Sequence, residues 1–368
     1  MSGRTAIVWD QSFTEYDGGS GPAGIGDMAP AAPFDQPDTV ARAYDMLQQS
    51  GLFAECTLLG PDPASSEDLL VQHTPEYVER VEALSNGDGG DAGFQAHVPP
   101  GGFNTLLKAT GSALAAFRAV LSRQSKNAFA FARPGGHHAM PDMGLGNAVF
   151  AHVATALTHA RNEFDIPRVA IIDWDVHHGN GTEARFIDDP NTLFISIHQD
   201  RCFPKDTGGL DVQGIGRGFG ANINVPLPPG AGHDAYAATM TRVVIPAIDR
   251  FRPDLIVVSN GVDANGTDPL GRMMCHSGTF RAMTDATVSA ADRHCDGRLV
   301  VCHEGGYSSQ IAPWCILNVI ESLAGKPERP LDGMSLWVAA GGGHELKVTE
   351  EAVIEKAATF VAEVPTAC

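Results

Sequence analysis

Apolar positions in this chain fall in short unbroken runs. Six of them, at residues 6–9, 128–131, 169–172, 193–197, 255–258 and 299–302, are rich in β-branched and aromatic side chains. A strand solvated on one face alternates apolar with polar residues, whereas a strand covered on both faces is apolar throughout. Helix-like stretches stand between the runs, at 105–121, 151–162, 233–250 and 279–294. Strand and helix in alternation predict one parallel, doubly wound sheet with helices on both sides, a three-layer α/β/α fold. No linker, repeat or low-complexity tract divides the chain, so residues 1–368 are expected to form a single domain. The tracts at 18–37 and 85–102 are too rich in glycine and proline for either element and are read as long surface loops.

Composition adds what the pattern leaves open. A hydrophobic share of 43% with 19% charged residues belongs to a globular chain with a sizeable core. The formal charge of -19 repels phosphate backbones and anionic lipid, which removes nucleic acid and membrane surfaces as partners. The start of the chain lacks the apolar centre of a signal peptide and no stretch is long enough to span a bilayer, so a cytoplasmic protein is expected. The cysteines number 7, are scattered and form no C-x-x-C pair; reduced, mostly buried thiols are the expectation.

In open parallel sheets ligands sit beyond the carboxyl ends of the strands, so the residues that follow each run matter most. After Phe131 comes Pro134-Gly-Gly-His137-His138, and after Ile172 comes Asp173-Trp-Asp175-Val-His177-His178-Gly-Asn180. After Val258 comes Asn260-Gly-Val-Asp263, and after Cys302 comes Glu304-Gly-Gly306-Tyr307. Alternate residues of an extended chain share a face, so Asp173, Asp175 and His177 can project together. Asp175 and His177 then form a clamp that Asp263 can complete. Two carboxylates and an imidazole leave a position for water or substrate, as in a catalytic metal site. Zinc suits this donor set, and iron or cobalt would also accept it. Asp-x-Asp-x-His alone is more often a set of loop carboxylates capping a helix. Its coincidence with His, Asp and Tyr at three other strand ends reverses that preference.

Amide hydrolysis needs an activated water, a base, an acid for the leaving amine and a donor to the oxyanion. A metal ion activates water and polarises the carbonyl, His137 or His138 can carry protons, and the Tyr307 phenol can donate to the oxyanion. Asp173 and Asn180 are suited to orient the two histidines from behind. Competing motifs fail. Gly144-Leu-Gly146-Asn-Ala-Val lacks the third glycine of a dinucleotide fingerprint, and the glycines at 208–220 lack the lysine and hydroxyl of a phosphate loop. There is no G-x-S-x-G elbow and no H-E-x-x-H helix.

These motifs, with Asn224-Val-Pro-Leu-Pro228 and Gly261-Val-Asp263, resemble the histone deacetylase superfamily, and in particular its bacterial class II amidohydrolases. The likeness runs in order from about residue 5 to residue 330. It implies the arginase/deacetylase form of the three-layer fold, with Zn2+ on Asp175, His177 and Asp263. It also implies that Asp173 orients His137, and that His138, backed by Asn180, is the principal acid and base. A K+ ion would lie beside the zinc strand, at Asp173, Asp175, His177 and Ser196, with a second near Phe186 and Asp189. Phe203 and Leu270 match walls of the substrate channel, and Gly146 and Gly306 flank it. The implied substrate is a small-molecule amide or acylated amine, and a homo-oligomer is expected.

One segment departs from the family pattern. The relatives carry an aromatic channel wall where this chain has Asn147, unless Leu145 or Phe150 refills the space. The departure points to short N-alkyl amides, including xenobiotics such as dimethoate, beside acyl-lysine. Leu270 gives the rim no charge with which to recognise an acetylpolyamine. An arginase-like ureohydrolase would need a second metal and further ligands, and a catalytically silent amide-binding protein would not need both histidines and Tyr307.

Overall fold

The structure, a computed structural model, describes residues 3–19 and 34–366; most of the predicted loop at 18–37, and Cys368, lie outside the described residues. Eight strands form the central sheet. They are β1 (Thr5–Val8), β2 (Thr57–Leu59), β3 (Asn127–Ala130), β4 (Val169–Asp173), β5 (Thr192–Gln199), β6 (Asn222–Leu227), β7 (Leu255–Asn260) and β8 (Leu299–His303). All neighbours pair in parallel, in the order β6-β5-β4-β7-β8-β3-β1-β2.

The unbroken apolar runs have the predicted cause. In β4, Val169 and Ile171 enter one core while Ala170 and Ile172 enter the other. The same division separates Leu255 and Val257 from Ile256 and Val258 in β7, and Val300 from Leu299 and Val301 in β8. One core is closed by the helices Phe103–Leu121 and His152–Glu163, through Phe117, Val120 and Leu157. The opposite core is closed by Asp38–Gln49, Ser277–His294 and Ala312–Leu323, through Leu47, Phe280 and Ile316. The layers are therefore α/β/α. The stretch predicted at 233–250 is helical but interrupted: His233–Thr239 passes through a wide π turn, Met240–Val244, into Ile245–Phe251.

Two strands were not predicted. β2 is three residues long and half-exposed at the sheet edge, so it carries little apolar signal. β6 reads Asn-Ile-Asn-Val-Pro-Leu, and its amides Asn222 and Asn224 donate to Glu183 at 3.0 and 2.7 Å. Its proline is tolerated because β6 is the other edge and pairs only with β5. The tract at 85–102 is a correction. Its first residues end the helix Pro75–Asn86, Gly90–Asp91 pairs with His97–Val98, and Gly93–Phe94 pairs with Gly144–Leu145. Ala92, Ala96 and Val98 are buried, so this is packed structure. The Asp91 carboxylate supplies the missing order by accepting the amides of Gly93, Gln95 and Ala96 at 2.9 to 3.0 Å. Among the described residues no helix is long and apolar enough to cross a membrane.

The connections from β4 run outward through β5 to β6, then return to place β7 on the other side of β4. A crevice opens at such a reversal, beyond the carboxyl ends of the two strands. The four strand ends singled out above belong to β4, β7, β8 and β3, which are consecutive neighbours in the sheet.

Candidate functional site

Regular pairing of β4 stops at Asp173, yet the side chains keep alternating. Trp174 and Val176 enter a core, and Asp173, Asp175 and His177 turn the other way. The turn is closed by its own carboxylates: Asp173 Oδ1 accepts the Asp175 amide at 3.1 Å and Asp175 Oδ1 the His177 amide at 2.8 Å. Asp263, beyond β7, accepts the Val176 amide at 2.8 Å, and Gly305, beyond β8, donates to Asp175 Oδ2 at 2.9 Å. Asp175, His177 and Asp263 are buried, and their ligand atoms all lie within 4.8 Å of one another. His177 Nδ1 is 3.0 Å from both Asp175 Oδ1 and Asp263 Oδ2.

This donor set fits a divalent cation. Asp263 Oδ2 is buried, and the polar group beside it is the His177 ring nitrogen 3.0 Å away, itself a candidate ligand, so a cation would satisfy both. Burial, with the Asp175 carboxylate beside it, pushes Asp263 up to about 8, the signature of two crowded acids that a cation would relieve. Side chains at positions 261 and 305 would collide with the Asp175 and Asp263 carboxylates, so only glycine leaves them in place. The mixture of oxygen and imidazole donors suits zinc.

The histidine pair lies on the loop after β3, its rings 3.9 Å apart. His137 Nδ1 is 3.0 Å from Asp173 Oδ2, and its Nε2 is 3.8 Å from Asp175 Oδ1. His138 Nδ1 is 2.8 Å from Asn180 Oδ1. Burial, reinforced by His137 and His177, holds His138 well below the usual imidazole range, so its ring is neutral. Burial holds the Tyr307 phenol well above its usual range, so it stays a donor. Beyond these groups opens a cavity of about 230 Å³, lined by Gln95, His138, Gly146, Asn147, His177, Cys202, Phe203, Leu270 and Tyr307. The Phe203 ring stands edge-on to those of His138 and His177.

The structure brings His137, His138, Tyr307, Asp173, Asn180, Asp175, His177 and Asp263 together, with Gly146, Asn147, Phe203 and Leu270 on the cavity wall. Gly306 is not on that wall; it lines a small neighbouring recess together with Tyr307 and Asn147. Neither Leu145 nor Phe150 is on the wall; Phe150 is fully buried against His73, Tyr77 and Phe103. Ser196 is the register partner of Asp173, and its hydroxyl meets His198 Nδ1 at 2.9 Å. Phe186 and Asp189 lie apart from these, the Asp189 carboxylate held by Arg161 and Thr192, each at 2.7 Å.

Four further residues bear on the site. Cys202 is half-buried on the cavity wall, unlike the buried thiols Cys56, Cys275, Cys295, Cys302 and Cys315. Gln95 reaches the wall because Gly93–Phe94 pairs with Gly144–Leu145, a contact invisible in sequence. Asp268 accepts the Tyr307 amide at 2.8 Å, and Glu304 accepts the amides of Gly136 and His137 at 2.6 and 3.1 Å. The signal for Glu304 was a carboxylate beside a glycine pair at a strand end, and for Asp268 a carboxylate beside a proline in the loop after β7.

A histone deacetylase domain model matches residues 33–323. The chain is 46% identical over 331 residues to a histone deacetylase-like amidohydrolase of Pseudomonas aeruginosa, covering 88% of this chain and 87% of that protein. The chain belongs to the histone deacetylase family. As a family member it is a hydrolase of the deacetylase and amidohydrolase type. A probable deacetylase of Archaeoglobus fulgidus is 38% identical over 87% of this chain and 86% of its own length. Human polyamine deacetylase HDAC10 is 32% identical over 83% of this chain, which corresponds to 46% of that longer protein. The HD domain of HDA15 superposes with a TM-score of 0.86 at 25% identity, over 99% of this chain and 95% of that one, in agreement with the arginase/deacetylase form of the fold.

Proposed function

We propose that this protein is a zinc-dependent hydrolase of amide bonds other than peptide bonds, whose channel accepts short N-alkyl amides, dimethoate among them, as well as acetylated lysine. The observation that carries the reading is the convergence of Asp175, His177 and Asp263 beside a histidine pair in which each ring has its own oxygen acceptor. A zinc ion held by those three residues would supply Lewis-acid polarisation of the carbonyl and a water of lowered pKa.

The remaining steps belong to side chains. Neutral His138, with Nδ1–H donated to Asn180, presents Nε2 to the cavity, takes the proton of the attacking water and returns it to the departing amine. His137 is held by Asp173, its Nδ1 3.0 Å from Oδ2, and stands beside the reacting carbon next to His138. Tyr307 donates its phenol hydrogen to the carbonyl oxygen as charge develops there. Phe203 and Leu270 give the cavity an apolar wall that excludes water from the acyl group, while Asn147 and Gln95 add polar groups to the same lining. A potassium ion at Asp173, Asp175, His177 and Ser196 belongs to the same reading. Near Phe186 a second ion would need backbone oxygens, because Arg161 occupies Asp189.

A two-metal ureohydrolase is the weaker reading, since Asp175, His177 and Asp263 are the only group among the described residues that converges as metal ligands. The test is metal content measured beside turnover of an acetyl-lysine peptide and an N-methyl amide. One zinc per chain is expected, with both zinc and turnover lost in Asp175→Ala and Asp263→Ala. Near-normal turnover by metal-free protein would sink the proposal.

A further inference from the structure

We infer that Glu304 is a positioning residue, whose buried carboxylate sets the place of the histidine pair relative to the metal ligands. This rests on the functional reading above.

Glu304 is 6% exposed and directs Oε2 at two consecutive amides, Gly136 at 2.6 Å and His137 at 3.1 Å. Its own amide is anchored on Asn260 O at 3.1 Å, at the end of β7. The next residue ties the turn to the metal ligands: Gly305 N bonds Asp175 Oδ2 at 2.9 Å and Gly305 O accepts Val262 N at 2.8 Å. Tyr307 N is fixed on Asp268 at 2.8 Å. The stretch from Glu304 to Tyr307 thus joins the loops after β3, β4, β7 and β8.

On its other side His137 offers its carbonyl to Gly181 and Thr182, at 2.9 and 3.2 Å, at the start of the helix Asn180–Phe186. Asn180, the first residue of that helix, holds His138. Glu304 is therefore the first link of a sequence of bonds that runs through the His137 backbone to the partner of His138. Gly135 belongs to the same device, because an added methyl would stand 2.9 Å from Glu304 Oε2 and press the carboxylate away. An alternative acceptor for these amides would have to enter a buried space, and a reacting group displaced by about 1 Å costs about a hundredfold in rate.

The experiment compares Glu304→Met, which removes the acceptor at similar length, with Glu304→Gln, which keeps an acceptor oxygen. Gly135→Ala perturbs the clamp from the other side and carries the test if Glu304→Met fails to fold. Amide hydrogen exchange is followed in the zinc-loaded proteins, together with kcat and KM on an acetyl-lysine peptide. The expectation is that Gly136 and His137 exchange slowly in wild type and Glu304→Gln and quickly in Glu304→Met and Gly135→Ala, with Val169–Asp173 protected throughout. In the two fast-exchanging variants kcat falls by about a hundredfold with KM little changed, and Glu304→Gln recovers most of the rate. The inference is overturned if Glu304→Met keeps slow exchange and full kcat, or if Glu304→Gln loses as much as Glu304→Met. Should wild type turn over no amide at all, the functional reading fails while the exchange measurements still decide the clamp.

Discussion

His138 Nδ1 lies 2.8 Å from the side-chain oxygen of Asn180, and that one bond selects the tautomer of the ring. An amide oxygen only accepts, so the proton resides on Nδ1 and the lone pair of Nε2 faces the cavity. Asn180 can hold this orientation because its own amide group is engaged by His138 O and Met140 Sδ, both at 3.4 Å. Removing the acceptor frees the ring to flip and to change tautomer. For Asn180→Ala we expect kcat to fall by at least about 10- to 100-fold, the range typical when the hydrogen-bond partner behind a residue of a metal site is lost. KM should change little. Steady-state kinetics on an acetyl-lysine peptide checks this, and an unchanged kcat would remove Asn180 from the mechanism.

Tyr307→Phe keeps the ring on the cavity wall and deletes only the hydroxyl. Because burial keeps the phenol protonated far above neutrality, the group lost is a donor and never a phenolate. One oxyanion donor is worth about a hundred- to a thousandfold in the chemical step. The loss is expected in kcat, while zinc content and KM stay near wild type. A change confined to KM would assign Tyr307 to ground-state binding instead.

How much of this was legible in the sequence differs from part to part. Six of the strands were visible because both of their faces are covered, which leaves an unbroken apolar signature. β6 was invisible because Asn222 and Asn224 serve the half-buried Glu183 carboxylate, a tertiary demand that overrides strand composition. The histidines, aspartates and Tyr307 were legible because parallel strands deliver their following residues to one rim. Gln95 was not, since the strand pairing of 93–94 with 144–145 joins residues about fifty positions apart, through a tract whose order depends on Asp91. Glu304 stood in plain view beside the glycines, yet its role depends on which amides it reaches.

The stability of the protein should depend on pH through His73. Its Nε2 accepts the Ala151 amide at 3.0 Å while Nδ1 meets Met140 O at 3.1 Å, an arrangement that requires the neutral ring. Burial lowers its pKa to about 4, against roughly 6.5 in an unfolded chain. Between those values the unfolded chain holds a proton that the folded chain lacks, so stability is complete above the upper value and is lost as pH falls towards the lower. The contribution of one such group is about 1.4 kcal/mol per pH unit inside the window. Urea unfolding at pH 7, 6 and 5 should show this decline, and His73→Gln should reduce its slope by about one proton. An identical slope in the variant would show that His73 is already charged in the folded protein.

Asn147 decides the substrate range in our reading, and its place is fixed by backbone before its side chain does anything. Its φ of +65° is a left-handed conformation that asparagine tolerates better than most residues. Its amide bonds Gln95 O at 2.6 Å, and that of Gly146 bonds Phe94 O at 3.0 Å. The side chain so placed lines the same cavity as Phe203, where an aromatic residue would extend an apolar sleeve for a lysine stem. Such a sleeve selects by burying four methylenes at about 0.8 kcal/mol each when fully withdrawn from water. A carboxamide on one wall forfeits part of that gain, and it offers a donor and an acceptor to a short polar amide. Wild type is therefore expected to hydrolyse small N-methyl amides alongside acetyl-lysine. Asn147→Phe should move the ratio of kcat/KM values towards the peptide by about tenfold or more, the equivalent of about two methylenes. The rise should be smaller than the full sleeve allows, because a phenyl ring at a positive φ strains the turn held by Gln95. Measuring both substrates against both proteins is sufficient: an unchanged ratio, with wild type inactive on every small amide, would mean that Asn147 does not set the channel.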